Sequence, residues 1–189
     1  MSAEFWEERY ATGGHSGTGS RGLNAKFKAD FLNAFVKEHN VQTVLEFGCG
    51  DGNQLALAEY PLYVGMDVSE TAVKMCTERF AEDFTKSFHL IRPLSAELVL
   101  SLDVVYHLTE EDVYMQHLRD VFASASRWVI IYTTDLDYID PDYESADHVR
   151  HWPIARYISA AFPHWALDSL TLNPHPERGG CDFYVYRPR

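Results

Sequence analysis

Apolar, β-branched runs alternate with helix-period segments along most of this chain, and that alternation limits the fold more than any other feature. Strands are expected at 41–47 (VQTVLEF), 62–68 (LYVGMDV), weakly at 88–91, at 97–108 (ELVLSLDVVYHL) and at 128–134 (WVIIYTT). Between them, Phe27, Phe31 and Phe35 recur every four residues with Leu32 in a helix over 23–39. A short helix fits 52–59. Ser69 can cap a helix carrying Val73, Cys76 and Phe80 on one face, and 110–126 carries Met115, Leu118 and Phe122. A helix near 149–161 precedes two last strands, 165–172 and 181–187, around the turn-forming NPHPERGG. Strand–helix alternation of this kind gives a parallel sheet with helices on both faces, closed here by an antiparallel hairpin.

At 189 residues with 46% apolar composition, the chain suits one domain with a real core. It divides into an N-terminal arm (1–22), a core (23–134), a substrate-side loop (135–153), and a helix with hairpin (154–189). A net charge of −12 sets it against general attraction to nucleic acid or anionic membrane, and neither is expected as a partner. Cys49, Cys76 and Cys181 are too few and scattered for a disulfide framework. No apolar run suits a bilayer and the first twenty residues lack a signal-peptide pattern, so a cytoplasmic location is expected.

Directly after the first strand the chain reads EFGCGDGNQ, with glycine at 48, 50 and 52. Glycine costs backbone entropy and packs nothing, so this spacing calls for a ligand lying against bare backbone. In an open parallel sheet such ligands sit beyond the carboxyl ends of the strands. The dinucleotide pattern G-x-G-x-x-G is not met, because Asn53 stands where the third glycine belongs, and no Gly-Lys-Ser/Thr follows for a phosphate loop. The second strand ends in Asp67, about twenty residues on, where an acid can accept hydrogen bonds from a ribose diol.

Glu46, Gly48, Gly50, Gly52 and Asp67 in this arrangement resemble the class I S-adenosylmethionine-dependent methyltransferases, and the resemblance covers nearly the whole chain. It implies a Rossmann-like α/β domain with a seven-stranded, mostly parallel sheet, and S-adenosylmethionine as cofactor. The glycines would follow the methionine and ribose part of the donor, Asp67 the ribose hydroxyls and Val68 the adenine. Glu46 would organise the loop. Asn53, Gln54, Leu102 and Tyr10 are assigned to the same pocket. No acid follows the third strand, FHLIRPL, so no residue is assigned to the adenine amine.

After the fourth strand, Ser101 to Leu108 lacks the Asn/Asp-Pro-Pro-aromatic motif of amino-group methylation on bases and amides. The resemblance extends to bacterial methyltransferases of saccharide or polysaccharide modification through WEERY, GGHSGTGS, SLDVVYHL and HVRHW. The expected acceptor is therefore a hydroxyl of a small molecule, with a saccharide favoured. A hydroxyl must lose its proton as the bond forms, and a neutral histidine suits that step. His107 is the candidate general base, and Asp103 can contact cofactor or orient the base. Each has an alternative reading as a backbone-bonded residue at a strand end. Tyr106, His15, His148, Arg150 and His151 are candidate acceptor contacts, with the glycine-rich arm as a lid. His148 and His151 with the acids of 135–147 can also bind a divalent cation such as Mg²⁺. The alternatives are an N-methyltransferase of an amine metabolite and a non-catalytic binding module. The oligomeric state is open.

Overall fold

The computed structural model describes residues 2–138, 146, 148–174 and 180–189. Its helices are α1 (Ser2–Ala11), α2 (Gly22–Glu38), α3 (Glu70–Arg79), α4 (Glu111–Ser124) and α5 (Ile154–Ala161). Its strands are β1 (Thr43–Phe47), β2 (Leu62–Asp67), β3 (Lys86–Leu90), β4 (Ala96–Leu102), β5 (Ala125–Thr133), β6 (Trp165–Thr171) and β7 (Asp182–Pro188). They form one seven-stranded sheet in the order β3-β2-β1-β4-β5-β7-β6. Strands β1 to β5 pair in parallel, and β7 inserts antiparallel between β5 and β6. This is the α/β, Rossmann-like sheet with a terminal hairpin that the sequence predicts.

The chain runs outward from β1 through β2 to β3, then returns to lay β4 on the other flank of β1. That reversal opens a crevice beyond the carboxyl ends of β1 and β4. Alternate residues of the central strands feed two cores. Val99, Val129 and Ile131 meet Leu118, Phe122 and Ile158 from α4 and α5 on one face. Leu98, Leu100 and Ile130 meet Leu32, Phe35 and Val36 of α2 on the other. Double-sided burial is what makes the β4 run almost continuously apolar.

Several boundaries differ from expectation for local reasons. The run 97–108 stops being a strand at Leu102, because Asp103 takes φ 59° and the chain turns into a single 3₁₀ turn, Val105–His107. Residues 52–59 form only a 3₁₀ turn, Leu55–Leu57. The expected helix at 149 starts at Ile154, after Pro153. The Trp152 indole is instead drawn inward to donate to the Leu108 carbonyl at 3.0 Å. The α2 stripe is rotated in part: Ala25, Lys28, Ala29 and Val36 face inward with the expected Leu32 and Phe35. Phe27 and Phe31 flank it, and Phe31 stacks on Phe183 at 4.1 Å. No described helix is long and apolar enough to cross a membrane.

Candidate active site

The loop after β1 is fastened to the end of β2. Gly48 and Cys49 amides both donate to the Met66 carbonyl, at 2.7 and 3.1 Å, and the Gly50 amide donates to Asp67 Oδ2 at 2.9 Å. Gly48, Gly50 and Gly52 hold φ of 84°, 55° and 69°, a region that side chains strain. The space beside Gly50 is taken by the protein's own N-terminal arm. A Cβ there would overlap Ser16 Oγ and meet the Tyr10 hydroxyl at 2.9 Å. The glycines thus serve close protein packing as well as a bare ledge.

A cleft runs over this ledge. Glu46, Gly48, Gly50, Gln54, Asp67, Val68, Leu102 and Tyr10 line it, together with His107 and Asp103. Gly52 and Asn53 do not: a Cβ at Gly52 would meet Phe80 and Cys76 at 2.8 and 3.0 Å, and the Asn53 side-chain amide donates to the Ser20 carbonyl and clips the arm in place. Trp6, Ser16 and Ser20 of the arm line it too, as do Lys28 and Ile91, two residues to which the sequence assigns no site role. Val68 and Ile91 are apolar yet 45% and 41% exposed, a pair of faces on which a flat base can rest. Asp67 is buried, with Oδ1 accepting from the Ser69 amide at 3.0 Å, and burial pushes its carboxyl upward. Burial likewise raises the Glu46 carboxyl to about 7, although it accepts from the Tyr63 hydroxyl at 2.6 Å. Three carboxyls facing one lysine make a cleft suited to a cationic ligand such as a sulfonium with an ammonium group.

The lysine is the largest surprise. Lys28 is 1% exposed, and its Nζ sits 2.5 Å from Asp103 Oδ2. Burying a charge this deeply is tolerated only when it is paired. The other oxygen, Oδ1, accepts from the Tyr106 hydroxyl at 3.0 Å. Lys28 falls in the Ala25–Leu32–Phe35 stripe, so the legible signal was a lysine in phase with a buried face.

His107 stands at the cleft edge inside an aromatic enclosure. Trp6 lies edge-on at 5.0 Å, Tyr106 at 4.4 Å, and His148 stacks at 5.4 Å with Phe5 beyond it. Desolvation there pushes the imidazole down to about 4. Its Nδ1 is 3.2 Å from the His148 carbonyl, which can only accept, so Nδ1 carries the proton and Nε2 keeps its lone pair.

The arm is fastened over the cleft at two further places. Glu7 accepts from Ser69 Oγ at 2.6 Å and Thr71 Oγ1 at 2.5 Å, which holds its carboxyl below the usual range. Asp51, in the glycine loop, accepts from the Ser16 amide and from Arg21, each at 3.2 Å. The remaining candidates are placed variously. Tyr106 and His151 line a second chamber beside Asp103, where the His151 Nδ1 pairs with Thr134 Oγ1 at 2.7 Å. Arg150 donates to the Thr109 carbonyl at 3.0 Å and lies 3.8 Å above the Trp152 ring. His15 is exposed, its Nδ1 accepting from the Gly17 amide at 3.0 Å. Among the described residues no three His, Cys, Asp or Glu side chains gather as metal ligands; the acids at 140, 142, 144 and 147 lie outside them.

A family model described as a methyltransferase domain matches residues 21–172. No curated protein matches. Among solved structures, magnesium protoporphyrin IX methyltransferase (ChlM) from Synechocystis PCC 6803, with bound SAM, is 13% identical. Its TM-score is 0.72, over 100% of this chain and 98% of that one. An S-adenosylmethionine-dependent methyltransferase from Clostridium acetobutylicum ATCC 824 is 11% identical with a TM-score of 0.68, over 98% and 97%. The small RNA methyltransferase HEN1 is 17% identical with a TM-score of 0.65; the match covers 87% of this chain but 25% of HEN1. These likenesses carry the fold, and the family match covers the glycine loop, Asp67, Asp103 and His107. The chain belongs to the methyltransferase-domain family.

Proposed function

We propose that this methyltransferase uses S-adenosylmethionine to methylate a hydroxyl of a small acceptor, with a saccharide as the favoured class. When bound, the donor supplies an electrophilic methyl group on a sulfonium. Gly48, Gly50, Glu46 and Asp67 would hold it, with Val68 and Ile91 at the base end. Trp6, Tyr10 and Ser16 of the arm exclude water above it. The observation that carries the hydroxyl reading is the His107 tautomer: Nδ1–H is committed to His148, which leaves Nε2 as the acceptor of the hydroxyl proton. Asp103 is engaged by Lys28 and Tyr106, so its part is to hold Tyr106 and the wall of the site rather than to take a proton.

Radiolabelled methyl transfer tests this against saccharides, phenols, amines and a short RNA, with Mg²⁺ and with EDTA. Label in a hydroxyl acceptor is expected. Label entering amines alone overturns the hydroxyl reading, and label in RNA alone overturns the small acceptor; the fold of HEN1 is reason to include that arm.

Two further outcomes follow from the cleft. A cation binds best to ionised Glu46, whose carboxyl has been raised to about 7. Donor binding must therefore expel a proton below that pH, and affinity should weaken up to about tenfold per unit from pH 7 downward. Calorimetry in buffers of different ionisation heat reads the proton release directly. Asp51→Ala removes the acceptor for Ser16 and Arg21, and donor release measured by stopped flow should quicken roughly tenfold or more. An unchanged release rate would mean that the arm does not close the cleft.

A further inference from the structure

We propose that Lys28, with Gln54 beside it, receives the amino-acid end of the donor, and that the cleft thereby selects a donor carrying a carboxylate there. The inference rests on the donor reading above and adds the direction in which the ligand lies. The sheet order sets that direction. Ile91 follows β3, Val68 follows β2, the Gly48–Gly50 turn follows β1 and Asp103 follows β4, in the spatial order β3-β2-β1-β4. A base resting on Ile91 and Val68, with its ribose at Asp67, sends the rest of the donor across β1 toward β4. Lys28 meets that far end from α2.

The far end is otherwise hostile to a carboxylate. Glu46 and Asp103 line it, and Lys28 is the sole lysine or arginine among the described residues that line the cleft. A carboxylate buried against two others with no cation to meet it is strongly unfavourable. Lys28 is 1% exposed yet forms part of the cleft wall. Its ammonium has three donors, and the bond to Asp103 Oδ2 uses one of them. Burial pushes the Glu46 carboxyl up, while the Tyr63 hydroxyl and the charge of Lys28 draw it back, so the field of the lysine reaches that acid as well.

The ammonium of the donor has a matching partner. Gln54 Nε2 donates to the Ala25 carbonyl at 3.0 Å, and Ala25 shares the inward stripe of α2 with Lys28. That bond sets the Gln54 amide at the same end of the cleft. Its Oε1 is buried and has no hydrogen-bond partner among the described residues. An unmet buried acceptor costs free energy, which an ammonium donating to it relieves. A cation for the carboxylate and acceptors for the ammonium thus stand together, as an α-amino-acid group requires.

Calorimetric titration at pH 8 tests this with S-adenosylmethionine, decarboxylated S-adenosylmethionine and 5′-methylthioadenosine. The first two differ only by the carboxylate, and the third lacks the amino-acid end altogether. Wild type should bind the decarboxylated donor at least about tenfold more weakly than the parent. Lys28→Met combined with Asp103→Asn removes the ion pair whole and leaves no buried charge alone. That double variant should bring the two donors to within about threefold of each other. Gln54→Leu should weaken both donors alike, by about tenfold, and keep the preference between them. Methylthioadenosine should bind wild type and both variants within a few-fold. The inference is overturned if wild type holds the two donors equally, or if the double variant keeps the full preference. It is also overturned if the double variant loses methylthioadenosine, since Lys28 would then hold the cleft rather than the ligand. S-adenosylmethionine binding without preference removes this inference alone, whereas no binding at all removes the donor reading with it.

Discussion

His107→Ala should lower kcat by about 10²–10⁴-fold, the range of a lost general base, while donor affinity measured by calorimetry stays within a few-fold. The variant keeps the strand end and the 3₁₀ turn and loses the Nε2 lone pair. His107→Gln should be equally slow, because an amide can still donate to the His148 carbonyl but accepts no proton. The pH profile separates this role from a packing role. Enclosure by Trp6, Tyr106 and His148 has pushed the imidazole down to about 4, so it is already neutral at pH 5. The acid limb of the wild-type rate at saturating donor should therefore fall near 4, not near the ordinary histidine value. Substituting Trp6 by alanine, which opens that enclosure to water, should move the limb upward. A wild-type rate in His107→Ala would show that the acceptor needs no base, as an amine does not.

Asp67→Ala should weaken S-adenosylmethionine binding by about 10- to 100-fold, as expected for hydrogen bonds to a charged acceptor. The effect has two sources. Any ligand hydroxyl loses its carboxylate, and the amides of Gly50 and Ser69 lose theirs, at 2.9 and 3.0 Å. The loop that carries the ledge is then held to β2 only through the Met66 carbonyl. Asp67→Asn is the milder control, since its amide oxygen still accepts one of these bonds. Thermal melting should fall more for alanine than for asparagine, while a binding loss shared by both reports on the ligand.

The strand–helix alternation, the seven-stranded sheet and the glycine ledge were legible because each is written in local pattern: continuous apolar runs where both faces are buried, and a triplet of glycines with positive φ. Asp67 was legible through its spacing alone. Lys28 was legible only as a lysine in phase with a buried face, and its role was not, because its partner lies seventy-five residues away. Glu7 and Asp51 escaped for the same reason: their partners on α3 and on the arm are brought near only by the fold. The end of β4 was overrun because Val104 and Val105 favour strand, whereas the turn at Asp103 is held by Lys28 and by its amide donating to the Tyr132 carbonyl, both distant in sequence. The chamber beside Asp103 was invisible in the same way, being assembled from the arm, α2, β5 and the segments after β4 and before α5 and β7.

The most direct measurement is calorimetric titration of S-adenosylmethionine into the wild-type protein and Asp67→Ala at pH 8, with NAD as a comparison ligand. One saturable site, weakened by the substitution and tighter than any NAD binding, is the result expected of a cleft built from Gly48, Gly50 and Asp67. No heat with wild type, equal affinity in both proteins, or NAD binding more tightly would contradict it.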